Sequence, residues 1–451
     1  MKKKTTGHKK VRAWLDKYRQ QVIAGVSMLA FVGFGVLILT LTKAATTGFG
    51  LEAEKGSLTG QAHVMTPSGS SGGQGVHFGP MNMSNDLGSF LRNTTLTSRY
   101  RQYENASESE IVQNLTTRGN LEANPGGYQT HNSQGQFRFT CQYSHLNYDD
   151  PIVYPGQSGK AHLHMFWGNT QMDANTTNQN IMTRGGGSCA GYEANRTGYW
   201  MPAVLDGNNK VVIPKDILMY YKSAQGAAAQ TKKMPQGLKM IAGSSTGNTE
   251  TSLQHVNGVI WACYTGSINY TYIGNTIPDN CPANTKANAV NSYTKQKDPN
   301  SYDPNDIFPI KLQALIFFPA CVKVDGSGNP VLDSANHKSH LAYFSGSGCP
   351  SDFPYMMPQV SYHVSWPGDL NYSQWKLSSD AMAGTPDGFS LHADWYGGWT
   401  DAVQDHWLKG CVNLQLNCSG GVMAPGGGYP LRQLKVVQEY DGPNYLTVPT
   451  K

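Results

Sequence analysis

The stretch AHLHMFWGNT, Ala161 to Thr170, decides how the chain is read. On a strand, successive side chains point to opposite faces. His162 and His164 then share one face, and Leu163 and Met165 share the other. An apolar face opposite a histidine face suits a strand with its back to a core. It also brings two imidazoles together, a geometry that metals and proton-transfer sites use. A hydrogen-bonded pair within a core is the plainer reading of the same residues. The stretch alone leaves both open.

Similar runs recur from about Gln129 to Val437: QFRFTCQY, YWMPAVLD, KVVIP, GVIWACY, KLQALIFF, SHLAYF and PQVSYHVSW. Gly, Asn, Pro and Ser break them apart. The 451-residue chain holds 50 glycines, and only 14% of its residues are charged, against roughly 25% in average soluble domains. Strand-length runs with frequent turn signals predict a mainly β fold, an antiparallel β-sandwich-like ectodomain with long loops and few helices. This main domain is placed at residues 126–440. One helix is expected at TDAVQDHWLKGC, with Thr400 as its N-cap.

The N-terminus does not belong to that fold. Residues 1–21 hold eight Lys or Arg and one acid, Asp16. Residues 22–41, VIAGVSMLAFVGFGVLILTL, carry no charge. About 20 apolar residues span a bilayer as a helix, and a basic flank stays on the cytoplasmic side. The expectation is a basic cytoplasmic tail, a single transmembrane anchor and an extracellular C-terminal part at the cell membrane. Secretion after cleavage near Ala45 is the alternative, although the apolar run is long for a signal peptide. Without residues 1–21 the chain has 27 basic and 29 acidic residues, so its basic character belongs to the tail. Nucleic acid is therefore not an expected partner.

Residues 48–80 read as a β-hairpin spacer, two alternating runs around PSGSSGG. With Glu52-Ala53-Glu54 ahead of them, they resemble the opening strands of calcium-binding β-sandwich carbohydrate modules, but too briefly to make one. Residues 81–125 read as a polar linker with a weakly amphipathic helical stretch at SESEIVQNL. All eight cysteines lie beyond residue 140, and an even count in an exported chain reads as disulfides. Joining neighbours in order is the simplest pairing: Cys141–Cys189, Cys263–Cys281, Cys321–Cys349 and Cys411–Cys418. No C-x-x-C pair suggests a zinc knuckle.

Two further histidine clusters accompany the first. In DSANHKSHLAYF, His337 and His340 lie in a turn before an apolar strand. In TPDGFSLHADWYGGW, an extended SLHADW puts His392 and Asp394 on one face. His162, His164, His392 and Asp394 are the candidate catalytic residues. The three histidines are candidate ligands for one divalent metal ion, with Asp394 orienting or accepting a proton. Asp150, His337, His340, Trp167, Trp395 and Trp399 are candidate substrate contacts, because aromatic faces stack on sugar rings. The same aromatics are equally at home in a core. No H-E-x-x-H, G-x-S-x-G, phosphate-binding loop or EF-hand loop is found.

In order along the chain, DPIVYPGQSGKAHLH, GYWMP, IFFPACVKVDG, NHKSHLAYF, GCP and PDGFSLHADWYGGW resemble a secreted family of unknown function. That family is common in filamentous fungi, often beside cysteine-rich WSC modules. The resemblance covers residues 141–411. It falls on Asp150, Pro155, Gly156, Ser158, His162, His164, Tyr199, Trp200, Pro202, Cys321, Asp325, His337, His340, Cys349, His392, Asp394 and Trp399. Fungal members carry two cysteines near the position of Cys189, where this chain has one. The resemblance implies an exported domain with a polar His/Asp site and no particular activity. Two function classes follow: an enzyme acting on cell-surface or environmental polysaccharide, a hydrolase or lyase, and a non-catalytic glycan-binding or wall-associated surface protein.

Overall fold

The computed structural model describes residues 134–247, 258–266, 269–292, 294, 296–304, 308–346, 348–423 and 444–451, and short strands at 62–65, 75–78, 112–114 and 432–434. The expected membrane anchor at 22–41 lies outside the described residues. Among the described residues no helix is long and apolar enough to cross a membrane. The chain divides into two compact units, Met1–Asn82 and Met83–Lys451. In the first, Ala62–Met65 pairs antiparallel with Gly75–Phe78, on either side of PSGSSGG.

The second unit is mainly β, with several antiparallel sheets and few helices. Its principal strands are β1 (Gln136–Cys141), β2 (His145–Asn147), β3 (His164–Gly168), β4 (Gly198–Pro202), β5 (Asp216–Lys222) and β6 (Lys239–Gly243). There follow β7 (Gly258–Gly266), β8 (Asn269–Gly274), β9 (Lys311–Phe317), β10 (Gln359–Pro367), β11 (His392–Tyr396) and β12 (Asn417–Cys418). A seven-stranded sheet runs β8-β7-β9-β10-β5-β1-β12. Only β12 is parallel to its neighbour, with Asn417 opposite Gln136. A five-stranded antiparallel sheet runs β6-β11-β4-β3-β2.

Alternation builds the interior between these sheets. Met165, Trp167, Tyr199, Met201, Ala393 and Trp395 from the five-stranded sheet join one apolar cluster with Phe137, Phe139, Tyr221, Tyr362 and Val364 from the seven-stranded sheet. The phenols in this interior find partners. The Trp395 and Trp399 indole N–H groups donate to the Tyr221 hydroxyl at 3.2 and 3.0 Å. Tyr221 shares a 2.8 Å hydrogen bond with Tyr199, whose hydroxyl donates to Asn195 Oδ1 at 3.0 Å. Tyr362 donates to the Asp394 carbonyl at 2.6 Å. The expectation that Trp167, Trp395 and Trp399 stack on sugar rings fails here. Their exposures are 0%, 0% and 2%, because the apolar interior takes the largest rings, and for Trp395 and Trp399 it also supplies a partner for the N–H group.

The central strands of the five-stranded sheet are buried on both faces. On its outer face, Phe166, Trp200 and Tyr396 pack with Ile152, Met172 and Ile181 from the crossing between β2 and β4. A strand without a wet face reads as continuous burial, as β3, β4 and β11 do.

Among the described residues two α-helices punctuate the chain, α1 (Ser378–Ala383) and α2 (Asp401–Trp407). Thr400 occupies the N-cap position of α2, but its hydroxyl donates to the Ala194 carbonyl at 3.4 Å instead of capping the helix. Val112–Asn114, within the stretch expected to be helical, is a strand paired with Arg432–Leu434. A weak helical spacing yields where a backbone partner is available and a β-branched valine favours extension. The four disulfides are Cys141–Cys189, Cys263–Cys281, Cys321–Cys349 and Cys411–Cys418.

Two stability predictions follow from these contacts. Tyr221→Phe strands the two indole donors in an apolar interior and should lower the unfolding free energy in urea by about 2–4 kcal/mol. A loss below about 0.5 kcal/mol would show that the hydroxyl does not hold the sheets together. His363, on the outer face of β10, has an Nε2 shut off from water without a partner. Burial, then the charges of Lys222 and Arg138, lower its pKa from 6.5 to about 3. The unfolded chain therefore takes up a proton that the folded one refuses. This contribution is complete above about pH 6.5 and lost as pH falls towards 3. His363→Gln should flatten the acid limb of stability by about 1.4 kcal/mol per pH unit in that window. Equal slopes for the two proteins would contradict it.

Candidate functional site

The outer face of the five-stranded sheet carries the histidines. β3 begins at His164, so His162 lies in the extended segment leading into it. Alternation nevertheless keeps both rings on the same side, with centroids 4.2 Å apart. β11 brings His392 to the same place, 5.0 Å from His162 and 6.1 Å from His164. Between β3 and β11 runs β4, with Trp200 opposite Phe166 on one side and opposite Asp394 on the other. Asp394 thus shares the face of His392, and Asp150 approaches from the crossing loop. One ligand atom from each of His162, His164 and His392 lies within 4.8 Å of the others, and the same holds for Asp150, His164 and Asp394.

Backbone carbonyls fix two of the rings. His164 Nδ1 donates to the Asp149 carbonyl at 2.9 Å, and His392 Nδ1 to the Ser390 carbonyl at 2.8 Å. A carbonyl only accepts, so the ring proton sits on Nδ1 and the Nε2 lone pair faces the site. The Nε2 atoms of His162 and His164 and both carboxylate oxygens of Asp394 are buried without a hydrogen-bond partner. Burial keeps the imidazoles neutral, lowering the pKa of His164 to about 3 and of His392 to about 4. Burial, then the nearby charge of Asp150, pushes the Asp394 carboxyl well above the usual carboxylate range. Neutral imidazoles and a carboxylate that lacks any donor form a set that a cation would satisfy.

Two aspartates outside the candidate set build the walls. The Asp149 carboxylate accepts from Ser158 Oγ at 3.0 Å, Gly159 N at 2.7 Å and Ala174 N at 3.0 Å, which fixes the loop whose carbonyl holds His164. Asp380, in the first turn of α1, accepts from the backbone of Leu377, Gly388 and Ser390 at 2.8, 2.6 and 2.9 Å. It also takes the Ser390 hydroxyl at 2.6 Å, next to the carbonyl that holds His392. In the sequence Asp380 lies outside every cluster singled out above. Nothing local to it announces a bond to residue 390.

These walls enclose a cleft of about 370 Å³ lined by Asp150, His162, Ser379, His392, Asp394 and Lys338, with Ser244, Ser245 and Thr246 at its rim. Asp150 is structural as well as lining, since its Oδ1 accepts from Ile152 N and Val153 N at 2.8 and 2.9 Å. His337 and His340, expected to touch substrate, are not among the lining residues. His340 spends both ring nitrogens inside the protein, on Ser334 Oγ and the Lys239 carbonyl, each at 2.9 Å. His337 forms a turn with φ of 55° and pairs with Asp333 at 2.8 Å. Lys338, between them, is the residue of that cluster that reaches the cleft. Nothing in the sequence around Lys338 separates it from an ordinary solvated lysine.

Asp380→Asn keeps the shape of the side chain and replaces one of its two acceptor oxygens with an NH2 that faces other donors. It should cost about 2–4 kcal/mol in urea unfolding. An unchanged midpoint would show that the loop before His392 is held by other contacts.

A family model, a domain of unknown function designated DUF1996, matches residues 150–399. No curated protein and no solved structure matches the chain. The matched range opens at Asp150 on the crossing loop and closes at Trp399 in the interior, and it contains each of the clustered imidazoles and both carboxylates. It spans more than half of the 451 residues, and the chain belongs to the DUF1996 family.

Proposed function

We propose that this chain is an exported, metal-dependent enzyme that acts on polysaccharide. One observation carries the reading: two buried Nε2 atoms and both oxygens of a buried carboxylate converge without a hydrogen-bond partner. Leaving such groups unpaired costs folding energy, and a bound cation removes that cost. Three imidazoles with a carboxylate suit a borderline divalent ion such as zinc, manganese or iron better than calcium or magnesium, which favour all-oxygen sites. The ligand atoms lie within 4.8 Å of one another, close enough for small side-chain shifts to bring them around one ion. His162, His164 and His392 would hold the ion, oriented by the Asp149 and Ser390 carbonyls. Such an ion lowers the pKa of bound water or polarises a substrate oxygen. Asp394, whose carboxyl burial pushes well above the usual carboxylate range, faces the same centre and is the group that would act as acid or base for hydrolysis or elimination.

The cleft is open to solvent, with hydroxyl groups at its rim and apolar Met382 beside them, 64% exposed. Hydroxyls beside an apolar patch suit a sugar. The four disulfides support export. The uncharged run at 22–41 behind a basic tail supports anchoring in the cell membrane, with release by cleavage near Ala45 as the other route. The non-catalytic glycan-binding alternative relied on exposed aromatics. It is weakened by the burial of Trp167, Trp395 and Trp399 between the sheets.

Protein purified from an export-competent host should carry about one equivalent of a transition metal by elemental analysis. His164→Ala and His392→Ala should each reduce metal affinity by at least about 10-fold. Both variants should also abolish the formation of new reducing ends on a panel of polysaccharides, a product common to hydrolysis and elimination. Full activity in chelator-stripped protein, or unchanged metal content in both variants, would refute the proposal.

A further inference from the structure

Lys338 stands apart from the other lysines near the cleft. Lys239 is paired with Asp333 at 3.1 Å. The Lys338 Nζ donates to the Gly243 carbonyl at 2.5 Å, and among the described residues no carboxylate pairs with it. The side chain is held at the mouth of the cleft by two backbone features. His337, in the left-handed region with φ of 55°, turns the chain immediately before it. Gly243, with φ of 79°, presents the carbonyl that receives it. A Cβ at Gly243 would meet the Leu391 carbonyl oxygen at 2.4 Å and His392 Cα at 2.9 Å, so only glycine fits where β6 crosses β11 beside the site. The Lys338 charge is felt by both Asp394 and His392.

Among the described residues, the rim around this ammonium holds no acid. It includes Ser244, Ser245 and Thr246, with the apolar Val153 and Met382 exposed beside them. The two acids, Asp150 and Asp394, lie beneath, 4% and 1% exposed. A divalent ion on the three imidazoles and the Lys338 ammonium together outweigh these two carboxyls by at least one positive charge, the difference being smallest when both are ionised. The surplus faces the mouth of the cleft, where a ligand enters.

We propose that the cleft takes an acidic sugar, whose anionic group, a uronate carboxylate or a sugar sulfate, is received by Lys338 next to the His162/His164/His392 centre. This deepens the metal-enzyme reading and rests on it. The geometry gives each part of such a ligand a partner. The anion meets a cation with unused donors, the sugar hydroxyls meet the Ser244–Thr246 turn, and the C–H face meets Met382.

The experiment is calorimetric titration of the full-length, metal-loaded protein with three probes of matched length: oligogalacturonate, a sulfated galacto-oligosaccharide and a neutral galacto-oligosaccharide. At least one acidic probe should bind about tenfold or more tighter than the neutral one, and which one binds identifies the anionic group. Lys338→Ala should abolish that preference while retaining its metal, and Lys338→Arg should retain both. Equal binding of neutral and acidic probes, no binding of either acidic probe, or a preference that survives Lys338→Ala would overturn the inference. Elemental analysis of the same samples separates the two readings. Protein without metal fails the proposed function, whereas metal-loaded protein without a preference for acidic sugar fails this inference alone.

Discussion

The Tyr221 hydroxyl accepts two indole N–H groups from beyond its own sheet and shares a third hydrogen bond with Tyr199. In water each of these bonds would contribute little. Between two sheets, each group without its partner would cost about 1–3 kcal/mol, so the arrangement is satisfied together or not at all. It fixes the spacing between Trp395 on β11, Tyr199 on β4 and Tyr221 on β5. Because side chains alternate, fixing Trp395 inward also fixes His392 and Asp394 outward. A one-residue slip of β11 would bury both polar residues between the sheets and expose Trp395.

The outward face is not a wet one. The loops before and after β3 lay Ile152, Met172 and Ile181 over Phe166, Trp200 and Tyr396, and so close one end of the sheet's outer surface. The polar groups at the other end sit in a floor that water reaches poorly. Their environment follows from this: imidazoles held neutral and a carboxyl shifted upward, with burial as the leading cause in each case. A polar cluster on an open sheet would be solvated and chemically ordinary. Partial roofing makes it a candidate centre, and the cleft between Lys338 and Met382 is the way in.

Period-two alternation was legible in the sequence wherever a strand was long enough to show it. HLHMFW and LHADWY declared which residues share a face, and the structure puts His162, His164, His392 and Asp394 on one surface. Alternation does not say what covers a face. Tryptophans beside histidines look alike whether they line a groove or fill an interior, and Trp167 and Trp395 fill it. His340 shows a second limit. Its partners, Ser334 Oγ and the Lys239 carbonyl, lie on either side of a turn that sequence spacing cannot close. The weak helical spacing around Val112 gave way to a strand because a backbone partner more than 300 residues away outweighs a local preference.

The sequence by itself determined a disulfide-bonded, mainly β domain and the set of residues that point away from its core, because strand pleating and apolar alternation are local properties of the chain. Only the tertiary structure decided which of those residues meet. The order β6-β11-β4-β3 places two histidine-bearing strands on either side of β4. The carbonyls of Asp149 and Ser390 then aim the rings inward, and a turn at His337 delivers Lys338 instead of a histidine to the cleft. Each of these depends on strand order and on hydrogen bonds between residues far apart in sequence. Such contacts gain their strength from burial, which no single stretch of the chain can provide alone.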